Sequence, residues 1–220
     1  MLRRLASRLP FPLCQSLRAW KYRLQQASGR FRSDEPEFLQ LTDWVHPGDW
    51  VLDVGANVGQ YTLRLSELVG REGRVFAFEP ITETAEILAA MARRARYRNI
   101  SILNIAVSER AGLVSFGVPK GEAGLPNYFQ ARVSGEGDRT IPCFALDELP
   151  FPNRIALVKI DVEEHEVQVI RGMRKLIERD HPILIVEGHE GIYPEFLAAH
   201  GYRMLPKAAA SSNLVFLPGA

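Results

Sequence analysis

The chain has 220 residues, 46% of them hydrophobic, and a formal net charge of +1. That is enough apolar material for one substantial core, and the near-neutral total gives no argument for a nucleic-acid partner. Two cysteines, Cys14 and Cys143, make neither a disulfide framework nor a metal-ligand spacing, and no apolar run reaches the roughly 18–20 residues of a membrane span; the expectation is a soluble, cytoplasmic protein without a transmembrane segment.

Charge is unevenly distributed. Residues 1–33 carry eight Lys/Arg and no acid, so the remainder is acidic. Compositionally this segment suits a transit peptide, a basic amphipathic helix on a membrane surface or an acidic partner, or a helix packed on the domain. Pro10 and Pro12 interrupt any long amphipathic helix, which favours the packed helix, with Leu9, Leu13, Leu17 and Trp20 on one side. Phe38, Leu41 and Val45 then space out a short helix over Glu35–Val45 that leads to the Pro47-Gly48 turn.

Val51-Leu52-Asp53-Val54 reads as a short buried strand, and Gly55-Ala56-Asn57-Val58-Gly59 as a tight turn. The turn opens a helix over Gly59–Val69, with Val58, Thr62, Leu65 and Val69 on one face and Gly70 as its cap. A strand feeding a helix through glycines brings bare backbone N–H groups and a positive helix end together, a site for the polar part of a nucleotide-like ligand. Arg74-Val-Phe-Ala-Phe-Glu79-Pro80 reads as the next strand. Glu79 follows Gly55 by 24 positions, the spacing that brings an acid at the adjacent strand tip within reach of a ribose diol.

Thr82–Ala95 has helical periodicity, with Ala85, Leu88 and Ala92 inward and the basic cluster Arg93-Arg94-Ala-Arg96 in its last turn. Ile100–Ile105 reads as a third strand, leaving through the small residues Ala106-Val107-Ser108. Leu113–Val118 and Thr140–Phe144 alternate as strands. The Gly- and Pro-rich stretch Pro119–Asp138 between them, with Asn127-Tyr128-Phe129 at its middle, reads as a loop of the length that substrate lids have.

Ile155–Ile160 is a buried strand ending at Asp161. Glu163, Glu164 and Glu166 crowd the start of the following helix, where acids are favourable, and Val169, Ile170, Met173 and Ile177 make its core face. Ile183–Glu187 is a fifth strand, followed by Gly188-His189-Glu190. A helix near Tyr193–His200 and strands at Tyr202–Leu205 and Leu214–Leu217 close the chain. Alternating strands and helices predict a doubly wound α/β sheet with ligands at the carboxyl ends of the strands, where Asp53, Gly55, Glu79, Ala106 and Asp161 all fall.

Asp53-Val-Gly-Ala-Asn-Val-Gly, Phe78-Glu79-Pro80, Asn104-Ile-Ala-Val-Ser108 and above all Val158-Lys-Ile-Asp161-Val-Glu-Glu-His-Glu166 together resemble the FkbM-type S-adenosylmethionine-dependent methyltransferases. The resemblance runs from about Pro47 to about Glu187. It implies a Rossmann-like class I methyltransferase sheet of seven strands, mostly parallel, with helices on both faces. A methyltransferase domain would then span residues 47–220, after a basic helical segment over 1–46. The sequence departs from the family pattern in three places: a small Ser-rich stretch is missing from the loop, Ala145 replaces a frequent Thr, and Glu164 stands where the family usually has Gly.

The resemblance also implies S-adenosylmethionine as cofactor. Asp53, Gly55, Ala56, Asn57, Gly59 and Tyr61 would surround its methionine part, Glu79 its ribose, and Ala106 and Val107 its adenine. Methyl transfer needs alignment and modest proton removal. Asp161, Glu163 and His165 are the catalytic candidates, with Glu187 and His189 as a second set. An Asp161–Glu187 pair could hold a divalent cation, but no metal site is assigned. The acceptor is expected to be a small molecule or glycan with a hydroxyl. Two rivals stay open, a nicotinamide-dependent oxidoreductase and a non-catalytic binding module on the same fold. The first would want a tighter three-glycine turn, and the second would lose Asp53 or Glu79.

Overall fold

The computed structural model describes residues 11–119, 132–133, 137, 139–188, 192–209 and 211–219. Helices α1 (Phe11–Ala27) and α2 (Pro36–Trp44) precede β1 (Trp50–Val54), α3 (Gln60–Val69), β2 (Arg74–Phe78), α4 (Thr82–Ala92) and β3 (Ile100–Leu103). Four short strands follow: β4 (Ala106–Val107), β5 (Gly112–Gly117), β6 (Arg132–Val133) and β7 (Arg139–Phe144). The chain then runs through β8 (Ile155–Ile160), α5 (Glu166–Arg171), α6 (Arg174–Asp180), β9 (Ile183–Glu187), α7 (Ile192–Ala199), β10 (Tyr202–Met204) and β11 (Asn213–Pro218).

The main sheet has seven strands in the order β10-β11-β9-β8-β1-β2-β3. From β9 to β3 all neighbours are parallel, and β11 runs antiparallel to both β9 and β10. Alternation along each strand feeds two cores. Leu52, Val54, Val158, Ile160, Leu184, Val186, Leu214 and Phe216 bury into the cluster that includes Val169, Ile170, Leu176 and Ile177 from α5 and α6. Val51, Val75, Leu157, Ile185 and Val215 face the other way, onto Phe38, Leu41 and Val45 of the α2 region and Leu65 and Val69 of α3. Each such side chain removed from water contributes about 1.5–3 kcal/mol, so this two-sided burial holds the strand ends in register.

The third strand is shorter than its apolar run predicts. Asn104 turns the chain out of the sheet, donating its side-chain amide to the carbonyls of Glu79 (2.8 Å) and Pro80 (3.0 Å). Ala106–Val107 then joins a separate four-stranded sheet, β4-β7-β5-β6, whose inner side packs Ile81, Ala106, Phe116 and Cys143.

Three further expectations are corrected. First, α1 packs on the domain through Ala19 and Tyr22, which join Val58, Leu63, Ile87 and Met91, whereas Leu13, Leu17 and Trp20 point outward. Helical spacing identifies an apolar stripe but not the side on which the protein lies. Second, α4 ends at Ala92, so Arg93, Arg94 and Arg96 follow the helix instead of forming its last turn. Third, the single helix expected after Asp161 is two. Glu163 and Glu164 lie before it with φ of 52° and 73°, and Glu166 begins α5. Gly172 divides α5 from α6, and its α-carbon lies so close to the Ser108 carbonyl that a side chain would collide. The left-handed backbone at Glu164, where the family usually has Gly, is strained for a residue with a β-carbon. Leu9, His189, Glu190 and nearly all of the Pro119–Asp138 stretch, including Asn127, Tyr128 and Phe129, lie outside the described residues.

Candidate active site

The parallel strands β1, β2 and β8 end side by side, and the site is built on their tips. Gly55 leaves β1 with φ 82°, and the amides of Gly55 and Ala56 both donate to the Phe78 carbonyl at 2.9 Å. On the other flank the Asp161 amide donates to Val54 O at 2.9 Å. A β-carbon on Gly55 would strike the Asp161 carbonyl, so only glycine lets the three tips converge. Gly59, φ 97°, then starts α3.

A cavity of about 270 Å³ opens over these tips. It brings together Gly55, Asn57, Glu79, Ala106, Val107, Asp161, Glu163 and His165 from the sequence-based assignment, with Glu187 of the second candidate set. Its apolar walls come from Ile81, Ile105, Phe116 and Val133. A second cavity of about 140 Å³ lies behind the glycine turn and holds Asp53, Ala56, Gly59 and Tyr61, with Lys159. Gly55, Asn57 and Asp161 line both. The expected cofactor residues are therefore divided between two adjoining spaces, with the turn as the wall between them.

Glu79 is 6% exposed, and both of its carboxylate oxygens are occupied: one accepts from the Asn57 amide (2.8 Å), the other from the Ile81 amide (2.9 Å). Burial pushes its pKa up to about 7, although these two N–H groups oppose the shift. Asp53 is buried on the α3 side of the sheet, where Thr62 donates its hydroxyl to the carboxylate. Burial pushes Asp53 up to about 6, against the Thr62 bond and the Lys159 charge.

Lys159, inside the Val158–Glu166 stretch, has no role in the sequence-based assignment. It stands in register with Asp53 and is 1% exposed. Its Nζ donates to Asn213 Oδ1 at 3.0 Å, lies 3.4 Å from Asp161 Oδ2, and sits 5.2 Å from the centre of the Tyr61 ring. A lysine inside the apolar run Ile155–Ile160 was the available signal, since a buried ammonium requires partners. Tyr61 itself is wedged edge-on against Phe38 at 5.2 Å.

Around Asp161 the charges sort themselves. Burial alone would raise its pKa, but the Lys159 ammonium and hydrogen bonding with Glu187 outweigh it and hold Asp161 below the usual carboxylate range. The same hydrogen bond, reinforced by burial, pushes Glu187 up to about 8. At neutral pH the pair therefore shares one proton, with Asp161 ionised and Glu187 the donor. Carboxylate oxygens of Asp161, Glu163 and Glu187 lie within 4.8 Å of one another. His165 Nε2 is 2.9 Å from Ser108 Oγ, and burial lowers its pKa, so its ring is neutral at pH 7. The arrangement combines a glycine turn, a buried acid held by two backbone N–H groups, and an ionised Asp161 that lines the same cavity as a neutral imidazole.

The chain can now be set beside known proteins. A family model described as the methyltransferase FkbM domain matches residues 53–205. Hexuronic acid methyltransferase AglP of Haloferax volcanii is 30% identical over 192 residues, covering 84% of this chain and 73% of its own length. A protein-L-isoaspartate O-methyltransferase of Methanothrix thermoacetophila is 31% identical over 133 residues, 59% of this chain and 60% of that protein. In architecture, the FkbM methyltransferase of Methylobacillus flagellatus superposes with a TM-score of 0.58 at 16% identity, over 77% of this chain but only 43% of that one. Aeropyrum pernix fibrillarin, solved with natively bound S-adenosylmethionine, gives 0.50 at 16% identity over 79% of this chain and 67% of its own. The glycine turn, the acid ending β2 and the Asp161 strand end all fall inside the matched span, and the chain belongs to the FkbM methyltransferase family, enzymes whose methyl donor is S-adenosylmethionine.

Proposed function

We propose that the chain O-methylates a hydroxyl of a glycan, with the cofactor lying across the two cavities and the acceptor entering beside Asp161. The observation that carries this reading is the acidic edge formed by Asp161, Glu163 and Glu187 at the strand ends. With Asp161 ionised, such an edge accepts hydrogen bonds from sugar hydroxyls and disfavours a second carboxylate beside Asp161. The similarity to a hexuronic acid methyltransferase supports a sugar as the acceptor, and the acidic edge favours its hydroxyl over its carboxylate.

The residues present fit S-adenosylmethionine. The Gly55 and Asn57 positions of the turn line both cavities, Glu79 is a buried acceptor held rigid for a diol, and Asp53 lies behind the turn where an ammonium can be balanced. The reading gives the Gly55–Gly59 turn and Asp53 the amino-acid part, Glu79 the ribose, and the apolar wall around Ala106, Val107 and Phe116 the adenine. When bound, the cofactor supplies a methyl group on a positively charged sulfonium. Asp161, kept ionised by Lys159, lies where that charge would be balanced. The neutral His165 takes the proton of the acceptor hydroxyl, Asp161 being the weaker acceptor because its carboxyl is held below the usual range.

Product chemistry tests the acceptor. With a labelled methyl donor and hexuronic acid-containing oligosaccharides, the incorporated label is expected to survive mild alkali, as a methyl ether does. Alkali-labile label would mean a methyl ester and would overturn the hydroxyl reading.

Glu79→Gln tests the ribose contact. Losing a charged acceptor costs about 1.5–3 kcal/mol, or roughly ten- to hundredfold in cofactor affinity by calorimetry. Gln keeps one acceptor for the Asn57 and Ile81 amides, whereas Ala would abandon both, so Gln is the cleaner variant. Unchanged affinity would move the ribose elsewhere.

Acidification should weaken cofactor binding as well. Asp53 and Glu79 have folded-state pKa values raised by burial to about 6 and about 7. Their contribution to the stability of the cofactor-free fold is therefore fully present below the unfolded carboxylate values and is lost as pH rises through 6 to 7. Cofactor contacts need both acids charged, so binding must release their protons. Between about pH 7.5 and 5.5 the dissociation constant should rise roughly ten- to hundredfold, while the cofactor-free protein gains stability from these two groups. A pH-independent constant would remove both acids from the contact.

A further inference from the structure

We propose that the outward face of α1 docks the protein on the surface of an anionic phospholipid bilayer. Leu13, Leu17, Trp20 and Leu24 are 46%, 47%, 59% and 49% exposed. Their spacing of four, three and four residues puts them in one line along a helix of 17 residues, about 25 Å long. The opposite face is already committed: Ala19 and Tyr22 pack against Leu63, Ile87 and Met91, Tyr22 meets Phe31 edge-on at 5.8 Å, and Gln26 donates to the Met91 carbonyl at 3.4 Å. The helix cannot roll to hide its leucines without giving up that anchorage.

Charge identifies the occupant. Lys21 and Arg23, both exposed, lie roughly 80° to either side of the apolar line, so each flank of the stripe carries a cation. Arg30 and Arg32 continue the basic surface beyond the helix, and Arg93, Arg94, Arg96 and Arg98 present exposed cations on the segment after α4, the helix against which α1 packs. Phe31, Arg32, Arg94 and Arg96 line one cavity, of about 570 Å³, joining the two basic segments. An aromatic-containing apolar stripe between basic flanks matches the boundary between acyl chains and anionic headgroups. No helix among the described residues is long and apolar enough to cross a membrane. The Gln60 side chain donates to the Arg32 carbonyl at 2.7 Å, which ties the docking segment to the start of α3 beside the glycine turn.

Sedimentation of the full chain with vesicles tests this. Binding is expected to phosphatidylcholine vesicles containing about one-third phosphatidylglycerol, to fall as salt is raised, and to be at least tenfold weaker to phosphatidylcholine alone. Leu17→Glu and Trp20→Glu should each reduce binding at least tenfold. Because these side chains contact solvent, the thermal midpoint and cofactor affinity should be unchanged, which separates lost docking from lost folding. Equal or absent sedimentation with both vesicle types at low salt would overturn the proposal. So would wild-type binding by both variants, or a lipid-free dimer that Leu17→Glu disperses, since a second copy would then cover the stripe.

Discussion

Gly55→Ala is expected to abolish measurable S-adenosylmethionine binding and to lower stability by about 3 kcal/mol or more. Two costs combine. A side chain at φ 82° carries the left-handed penalty of about 1–2 kcal/mol. The added carbon also meets the Asp161 carbonyl, and that backbone cannot retreat without breaking the Asp161 amide bond to Val54 O, 2.9 Å long. Relief therefore means spreading β1 from β8 at the point where both cavities meet. Gly70→Ala is the control, because Gly70 has φ 67° but open space around it, and should cost only the backbone strain with cofactor affinity intact. Thermal melts and calorimetry on the two variants would decide; similar behaviour would show that close approach at Gly55 is not what shapes the site.

Asp161→Asn should act mainly on the donor. A carboxylate held below its usual range by Lys159 and Glu187 is a poor proton acceptor and a good partner for a positive charge. The apparent donor constant should therefore rise roughly ten- to hundredfold, the scale of a lost charge-assisted contact, with a smaller fall in the rate at saturating donor. Lys159 keeps its Asn213 partner at 3.0 Å, so the variant should fold. A rate reduced by about 10²–10⁴ with normal donor binding would instead make Asp161 the general base. A variant normal in both would remove it from the site.

Local pattern carried much of this protein. The period of apolar residues sufficed for β1, α3, β2, β8 and β9, and the Gly55-to-Glu79 spacing anticipated the neighbouring tips of β1 and β2, because a parallel crossover has a narrow range of lengths. Glu79 was legible as a strand-end acid, but its fixation by the Asn57 and Ile81 amides was not, since those contacts form only when the turn and the β2 exit meet.

What the sequence by itself determined was the order and type of the main elements and the strand ends that carry chemistry, since both follow from short-range periodicity and turn residues. Tertiary structure alone decided the separate sheet of β4, β5, β6 and β7, the break at Gly172, the outward stripe of α1, and the Lys159–Asp161–Glu187 charge arrangement. The reason is common to all four. Each depends on which surface arrives next to a residue from far along the chain, and burial or a neighbouring charge then sets its conformation or its proton.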